Sequence, residues 1–110
     1  MPDKSSDLVQ GTLDMLVLKT LALEPMHGYG ISVRIEQMSK AVFHPNAGSL
    51  FLAIQRLERE GLIDGEWKPT QNNRRARYYT LTAKGRKRLN SETREWGRQA
   101  AAIARILEAS

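Results

Sequence analysis

The chain has 110 residues, a formal net charge of +5 and no cysteine. That length suits one domain with a modest core, and the missing thiol excludes disulfides, thiol catalysis and cysteine-ligated zinc. The charge is uneven: residues 1–46 hold 4 Lys/Arg against 5 Asp/Glu, whereas residues 47–110 hold 13 against 7. Basic charge gathered on one part of a fold suits a polyanionic partner, although a solvated surface would carry it equally well.

Residues 2–6 read as a short polar arm without the apolar core of a signal peptide. No apolar run approaches the ~20 residues that span a bilayer, so the expectation is a soluble, cytoplasmic protein. Ser6 or Asp7 is expected to cap a first helix, with Leu8, Val9, Leu13, Leu16, Val17, Thr20 and Leu21 at helical spacing. The apolar arc is wide and implies more than one neighbour. Pro25 and Gly28 end it. A second helix is predicted from Gly28 to Ser39, with Ile31, Ile35 and Met38 on one face. Gly28 and Gly30 are read as permitting tight helix packing. Pro45 and Asn46 mark a turn.

A third helix is predicted from Ala47 to Glu60, with Gly61 stopping it. At 100° per residue Leu50, Ile54 and Leu57 share a core-facing arc. Gly48, Ser49, Leu52, Gln55, Arg56 and Arg59 fall on the other side. Strands are predicted at Leu62–Trp67 and Ala76–Leu81, joined by a polar, mobile loop from Lys68 to Arg75. That loop brings Arg74 and Arg75 behind Gln71, Asn72 and Asn73, and Arg77 follows. Helix, strand, basic hairpin and returning strand together form the layout of a winged helix-turn-helix.

Such a layout offers one helix to a major groove and a basic hairpin to the backbone. Gly48 allows close approach, Ser49 and Gln55 suit base edges or phosphates, and Leu52 suits a thymine methyl. Arg56 suits a phosphate, as do Arg74, Arg75 and Arg77 on the wing. Lys84, Arg86, Lys87 and Arg88 extend the basic region. A plain amphipathic helix and a solubilising loop remain the bland alternatives.

Thr82 is predicted to start a last helix that runs from Ala83 to Ala109. Its Leu89, Thr93, Trp96, Ala100, Ile103 and Leu107 are spaced 4, 3, 4, 3, 4, the spacing of a coiled-coil seam. The seam predicts a two-fold dimer; its alternative is folding back on the first helix. Two facing Trp96 indoles would sandwich a flat aromatic ligand or simply fill the interface. The expected organisation is therefore residues 1–82 as the DNA-binding region and 83–110 as the dimerisation helix, in one compact unit that is mainly α with a small β-hairpin.

Enzymatic chemistry has little support. His27 and His44 flank a helix rather than forming a ligand pair, and the chain contains no HExxH, Walker loop or GxSxG. The sequence implies neither a metal nor a cofactor.

Four segments, GTLDMLVLKTLA (11–22), HGYGI (27–31), GSLFLAIQRLEREGLI (48–63) and RYYTLTAKGRKRL (77–89), together resemble the PadR family of bacterial transcriptional regulators. The single C-terminal helix is similar to that of its smaller subfamily, which dimerises through that helix and the first one. The resemblance implies a homodimeric regulator, a repressor on a pseudo-palindromic operator, associated with the nucleoid when bound. It also implies DNA-backbone positions for Tyr29 and Tyr79, and a dimer cleft that in some relatives senses phenolic acids or drugs. The family's usual Gly-Thr-Leu-Tyr-Pro is here Gly48-Ser49-Leu50-Phe51-Leu52. The departure removes a hydroxyl at Phe51 and a proline at Leu52, and with them the transfer of detailed contacts. A ligand sensor of the same fold, or a winged-helix module that binds protein instead of DNA, remains the alternative.

Overall fold

The computed structural model describes residues 11–110. The caps expected at Ser6 or Asp7, and Leu8 and Val9, lie outside the described residues. The elements are α1 (Thr12–Leu23), β1 (Met26–His27), α2 (Gly28–Met38), α3 (Ala47–Arg59), β2 (Ile63–Pro69), β3 (Arg75–Leu81) and α4 (Ala83–Leu107). Among the described residues, four helices and a small three-stranded antiparallel sheet, in the order β1-β3-β2, make the fold. The helices and the hairpin follow the predicted pattern, except that α1 begins at Thr12, behind Gly11 at φ +91°, and not at the expected Ser6 or Asp7. The third strand, β1, was not expected; it pairs Met26 with Tyr79 and His27 with Tyr78.

The core collects one face from every helix. Val17, Leu18 and Leu21 of α1 meet Ile31 and Ile35 of α2, Leu50, Ile54 and Leu57 of α3, and Leu62 and Ile63 at the wing's base. Leu18 is fully buried although the expected stripe omitted it, because α1 sits centrally and contacts α2, α3, α4 and β3. Thr20 is buried without cost because its hydroxyl donates to the Leu16 carbonyl at 2.7 Å. Met38 departs from the expected stripe and is half exposed.

Each helix that positions the site is capped from the sequence. His27 accepts from the Gly30 N–H at 2.9 Å at the start of α2. Asn46 accepts from the Ser49 N–H at 3.0 Å at the start of α3. Thr82 accepts from the Gly85 N–H at 2.9 Å at the start of α4. An oxygen or ring nitrogen at the cap satisfies a first-turn donor that has no helical partner. Gly61 stops α3 at φ +78°, a conformation that favours glycine. The expectation that Gly28 and Gly30 permit tight helix packing is corrected. A Cβ on Gly28 would make ordinary contact with Ile54, and one on Gly30 would press on the capping ring of His27.

The wing is more ordered than expected. Its strands extend past the predicted ends, and Pro69 pairs with Arg75. Thr70 donates to the Arg74 carbonyl at 2.6 Å, and Asn73 donates to Thr70 at 3.1 Å with a φ of +60°. Residues 70–74 are thus a closed turn, and the loop expected at Lys68–Arg75 shrinks to it. The wing's base is fixed to α4: the Thr82 hydroxyl donates to the Gly61 carbonyl at 2.8 Å, and Gly85 packs on the Leu62 carbonyl.

Helix α4 has 25 residues, or about 38 Å at 1.5 Å per residue. Its first turns lie on the core through Leu89, and the remainder projects beyond it, giving extents of 59 × 34 × 22 Å. No helix among the described residues is long and apolar enough to cross a membrane.

Candidate nucleic-acid interface

Helix α3 presents two unlike faces. Leu50, Ala53, Ile54 and Leu57 are buried, and Gly48, Ser49, Phe51, Leu52, Gln55, Arg56 and Arg59 are exposed. The division follows the 3.6-residue period and places the expected groove residues on one continuous outward surface. Phe51 and Leu52, where the sequence departs from the family pattern, are 57% and 62% exposed.

The start of α2 lies beside the start of α3. Tyr29 is 77% exposed there. Between the two helix N-termini lies a hollow of about 310 Å³, walled by Tyr29, Leu50, Phe51 and Ile54 and floored by Tyr79. His27 meets the Tyr78 ring edge-on at 5.2 Å between centroids, joining the start of α2 to the wing strand.

The basic residues expected on α3, on the wing and at Lys84 divide into two sets, while Arg88 farther along α4 pairs with Glu60 and Glu92. Arg59 on α3 and Arg74 and Arg75 at the wing tip are exposed and form no ion pair among the described residues. Three others are engaged by the fold. Arg56 pairs with Asp14 of α1 at 2.5 Å. Arg77 pairs with Glu58 of α3 and lies 5.8 Å over the Trp67 ring. Lys84 donates to the Glu60 carbonyl at 2.9 Å and so closes the C-terminal end of α3. The Glu58 hydrogen bond raises the Arg77 pKa above its ordinary value. Each of Arg56, Arg77 and Lys84 thus has a partner within the fold, and Arg77 and Lys84 hold the wing and α4 against α3.

Tyr79 is also corrected. It is 8% exposed and belongs to the core, so its ring supports the hollow from below rather than reaching a DNA backbone. Burial raises its phenol pKa, and the nearby Glu58 charge adds to the rise. Strand alternation carries the signal for this, since Tyr79 faces opposite to Tyr78 and Thr80. Glu58 was missed altogether. Its pairing with Arg77 spans 19 residues and depends on how α3 meets β3, which no local pattern encodes.

The expected dimer seam is mostly open. Trp96 is 51% exposed, Ile103 56% and Leu107 79%, while Thr93 is exposed and Ala100 partly so. Leu89 is the correction: it is 6% exposed and fills the protomer's own core. The structure adds Ile106, 72% exposed, to the apolar end of α4. A groove of about 390 Å³ runs between α1 and α4, lined by Met15, Glu92, Glu95, Trp96, Ala100 and Ile103. Partial burial raises the Glu92 pKa above its ordinary value, and Arg88 opposes the rise. Bidentate contact with Arg98, and Gln99, lower that of Glu95. No group of three metal-ligating side chains exists among the described residues.

A capped outward helix beside an arginine-tipped hairpin, both seated on a helical core, defines a winged helix-turn-helix of the DNA-binding class. The model of the transcriptional regulator PadR-like family matches residues 17–91, and the chain belongs to that family. A transcriptional regulator from Clostridium thermocellum superposes with a TM-score of 0.85 at 26% identity, over 94% of this chain and 97% of that one. A PadR family transcriptional regulator from Eggerthella lenta gives 0.76 at 29% identity, over 92% and 86%. An uncharacterized 37.1 kDa protein in a Streptomyces fradiae transposon is 40% identical over 84 residues; the match covers 76% of this chain but only 23% of that protein. Members of the family are transcriptional regulators and not enzymes, and this chain carries the fold of a DNA-binding regulator.

Proposed function

We propose that this protein is a homodimeric, sequence-specific repressor that binds a pseudo-palindromic duplex operator in the bacterial cytoplasm and stays with the nucleoid while bound. The observation that carries the proposal is the exposed outer face of α3 together with Arg59, Arg74 and Arg75, which are exposed and form no ion pair among the described residues. In this reading α3 enters the major groove, where Ser49 and Gln55 hydrogen-bond base edges and Gly48 admits close approach. The wing tip holds the backbone, and Tyr29 stands beside it. Seated across a promoter, the dimer excludes polymerase.

The open seam of Trp96, Ala100, Ile103 and Leu107 supports the dimer. A two-fold axis through α4 places two reading heads for half-sites about 34 Å apart, or a multiple. The bonds of Thr82 and Lys84 to the end of α3 join the reading head to α4, so the angle between protomers sets the spacing of the heads.

Binding to duplex DNA across a salt series tests the proposal. The three unpaired arginines of α3 and the wing, six per dimer, give a slope of log K against log salt of about −5, at −0.9 per neutralised phosphate. A slope near zero would leave a winged-helix module that binds protein instead.

A second reading is favoured by the groove at Trp96: a flat aromatic effector inserted there, bound better by the free dimer than by the DNA-bound one, would lower DNA affinity. Allosteric coupling of about 1–3 kcal/mol changes affinity about 5–150-fold. Indole quenching is read in a Trp67→Phe background, since Trp67 on the wing is also half exposed. Quenching lost in Trp96→Ala, with parallel relief of operator binding, supports a sensor. No quenching by planar phenolics and cationic dyes leaves Trp96 as interface packing.

A further inference from the structure

We propose that the reading surface distinguishes pyrimidines by their 5-methyl group, through the hollow between the N-terminal turns of α2 and α3. The proposal rests on α3 being the helix that enters the major groove. Three large apolar side chains, Tyr29, Phe51 and Leu52, are more than half exposed on those turns. The hollow beside them is walled by Tyr29, Leu50, Phe51 and Ile54, and no charged side chain lines it. Of the outward side chains of α3 from 48 to 56, Ser49, Gln55 and the Asp14-paired Arg56 are polar, and Phe51 and Leu52 are apolar. Much of the surface offered to the bases is therefore apolar.

Charge selects the occupant. The N-termini of α2 and α3, which carry positive partial charge, open onto this patch, and residues 47–110 hold 13 Lys/Arg against 7 Asp/Glu. A polyanion is drawn to such a frame, and an apolar protein face is not. Within a major groove the apolar group on a base edge is the thymine methyl, and 5-methylcytosine carries the same group at the same place. Hydrogen-bonding edges would gain nothing from Phe51 and Leu52, whereas a methyl seated on them leaves water. Packing against deoxyribose would use the same side chains but would not depend on the base.

The experiment uses the full chain and a duplex selected by its binding. Each thymine of a half-site is replaced by deoxyuridine, which keeps the pairing edge and O4 and loses only the methyl; separately, each cytosine is replaced by 5-methylcytosine. Burial of one methyl is worth about four-fold in affinity. We expect about four-fold weakening at one or two thymines per half-site, and about fifteen-fold when both half-sites are changed. Phe51→Ala or Leu52→Ala should bind the thymine duplex more weakly and lose its preference over the deoxyuridine duplex. Equal binding of thymine and deoxyuridine duplexes at every position overturns the proposal and leaves the DNA-binding reading intact. Failure to bind any selected duplex overturns both.

Discussion

Charge placed in the α4 seam should convert the dimer to monomers. Ile103 and Leu107 are 56% and 79% exposed in the protomer, so most of their apolar surface is available to a partner. Full burial of such a side chain is worth about 1.5–3 kcal/mol; scaled by exposure, the pair offers roughly 2–4 kcal/mol per protomer. A two-fold interface counts it twice, giving roughly 4–8 kcal/mol, or about three to six decades in the dimer dissociation constant. Ile103→Asp with Leu107→Asp removes that term and adds the cost of burying carboxylates without partners, a further few kcal/mol. The control is Arg105→Asp, which changes the net charge by the same amount. At 100° per residue its position lies opposite both seam residues. Sedimentation at micromolar concentration should show a dimer for the wild type and the control, and a monomer for the double variant. A wild-type monomer, or a double variant that remains dimeric, refutes the seam.

Arg74→Ala with Arg75→Ala should weaken binding to every duplex and make the salt slope shallower by roughly one to two units per protomer; unchanged affinity and slope would reduce the wing tip to a solubilising turn. Gly85→Ala places a Cβ against the Leu62 carbonyl, a backbone atom that cannot turn aside. A loss of about 1–3 kcal/mol follows, seen as a fall in Tm of at least several degrees, and an unchanged Tm contradicts the packing. Burial raises the Glu92 pKa, so ionising this carboxylate costs the folded state. Its contribution is favourable below the unfolded pKa and is lost as pH rises through the folded one. Glu92→Gln should accordingly raise stability at neutral pH, by less than about 1 kcal/mol, with no gain near pH 3. Denaturant unfolding at the two pH values checks the sign.

Where a local rule governed the chain, the sequence was readable. Asn46 and Gly61 bracket α3, the 3.6-residue period separates Leu50, Ile54 and Leu57 from the outward residues, and Thr82 opens α4. Where the outcome depended on tertiary placement, it was not. Two residues are too few for β1 to show any alternation, and its pairing with Tyr78 and Tyr79 follows from the route of the α1–α2 turn. Leu89 fits the seam spacing, but the first turns of α4 are laid on the core before the helix projects, so it serves the protomer. Composition suggested equivalent arginines. Asp14, held on α1, and Glu58, held on α3, divide them by claiming Arg56 and Arg77 and leaving Arg74 and Arg75 free. Of the site, the outward face of α3 was legible from periodicity, whereas the hollow beneath Tyr29 and Phe51 required the packing of three elements.

The central claim is that a pair of α3 helices reads duplex DNA. Selection of bound duplexes from a random pool tests it most directly. The account predicts enrichment of one pseudo-palindromic sequence whose half-sites are centred about 10–10.5 base pairs apart, or a multiple. A pool that stays random after repeated rounds at physiological salt, or an enriched site with no two-fold relation between its halves, would contradict it.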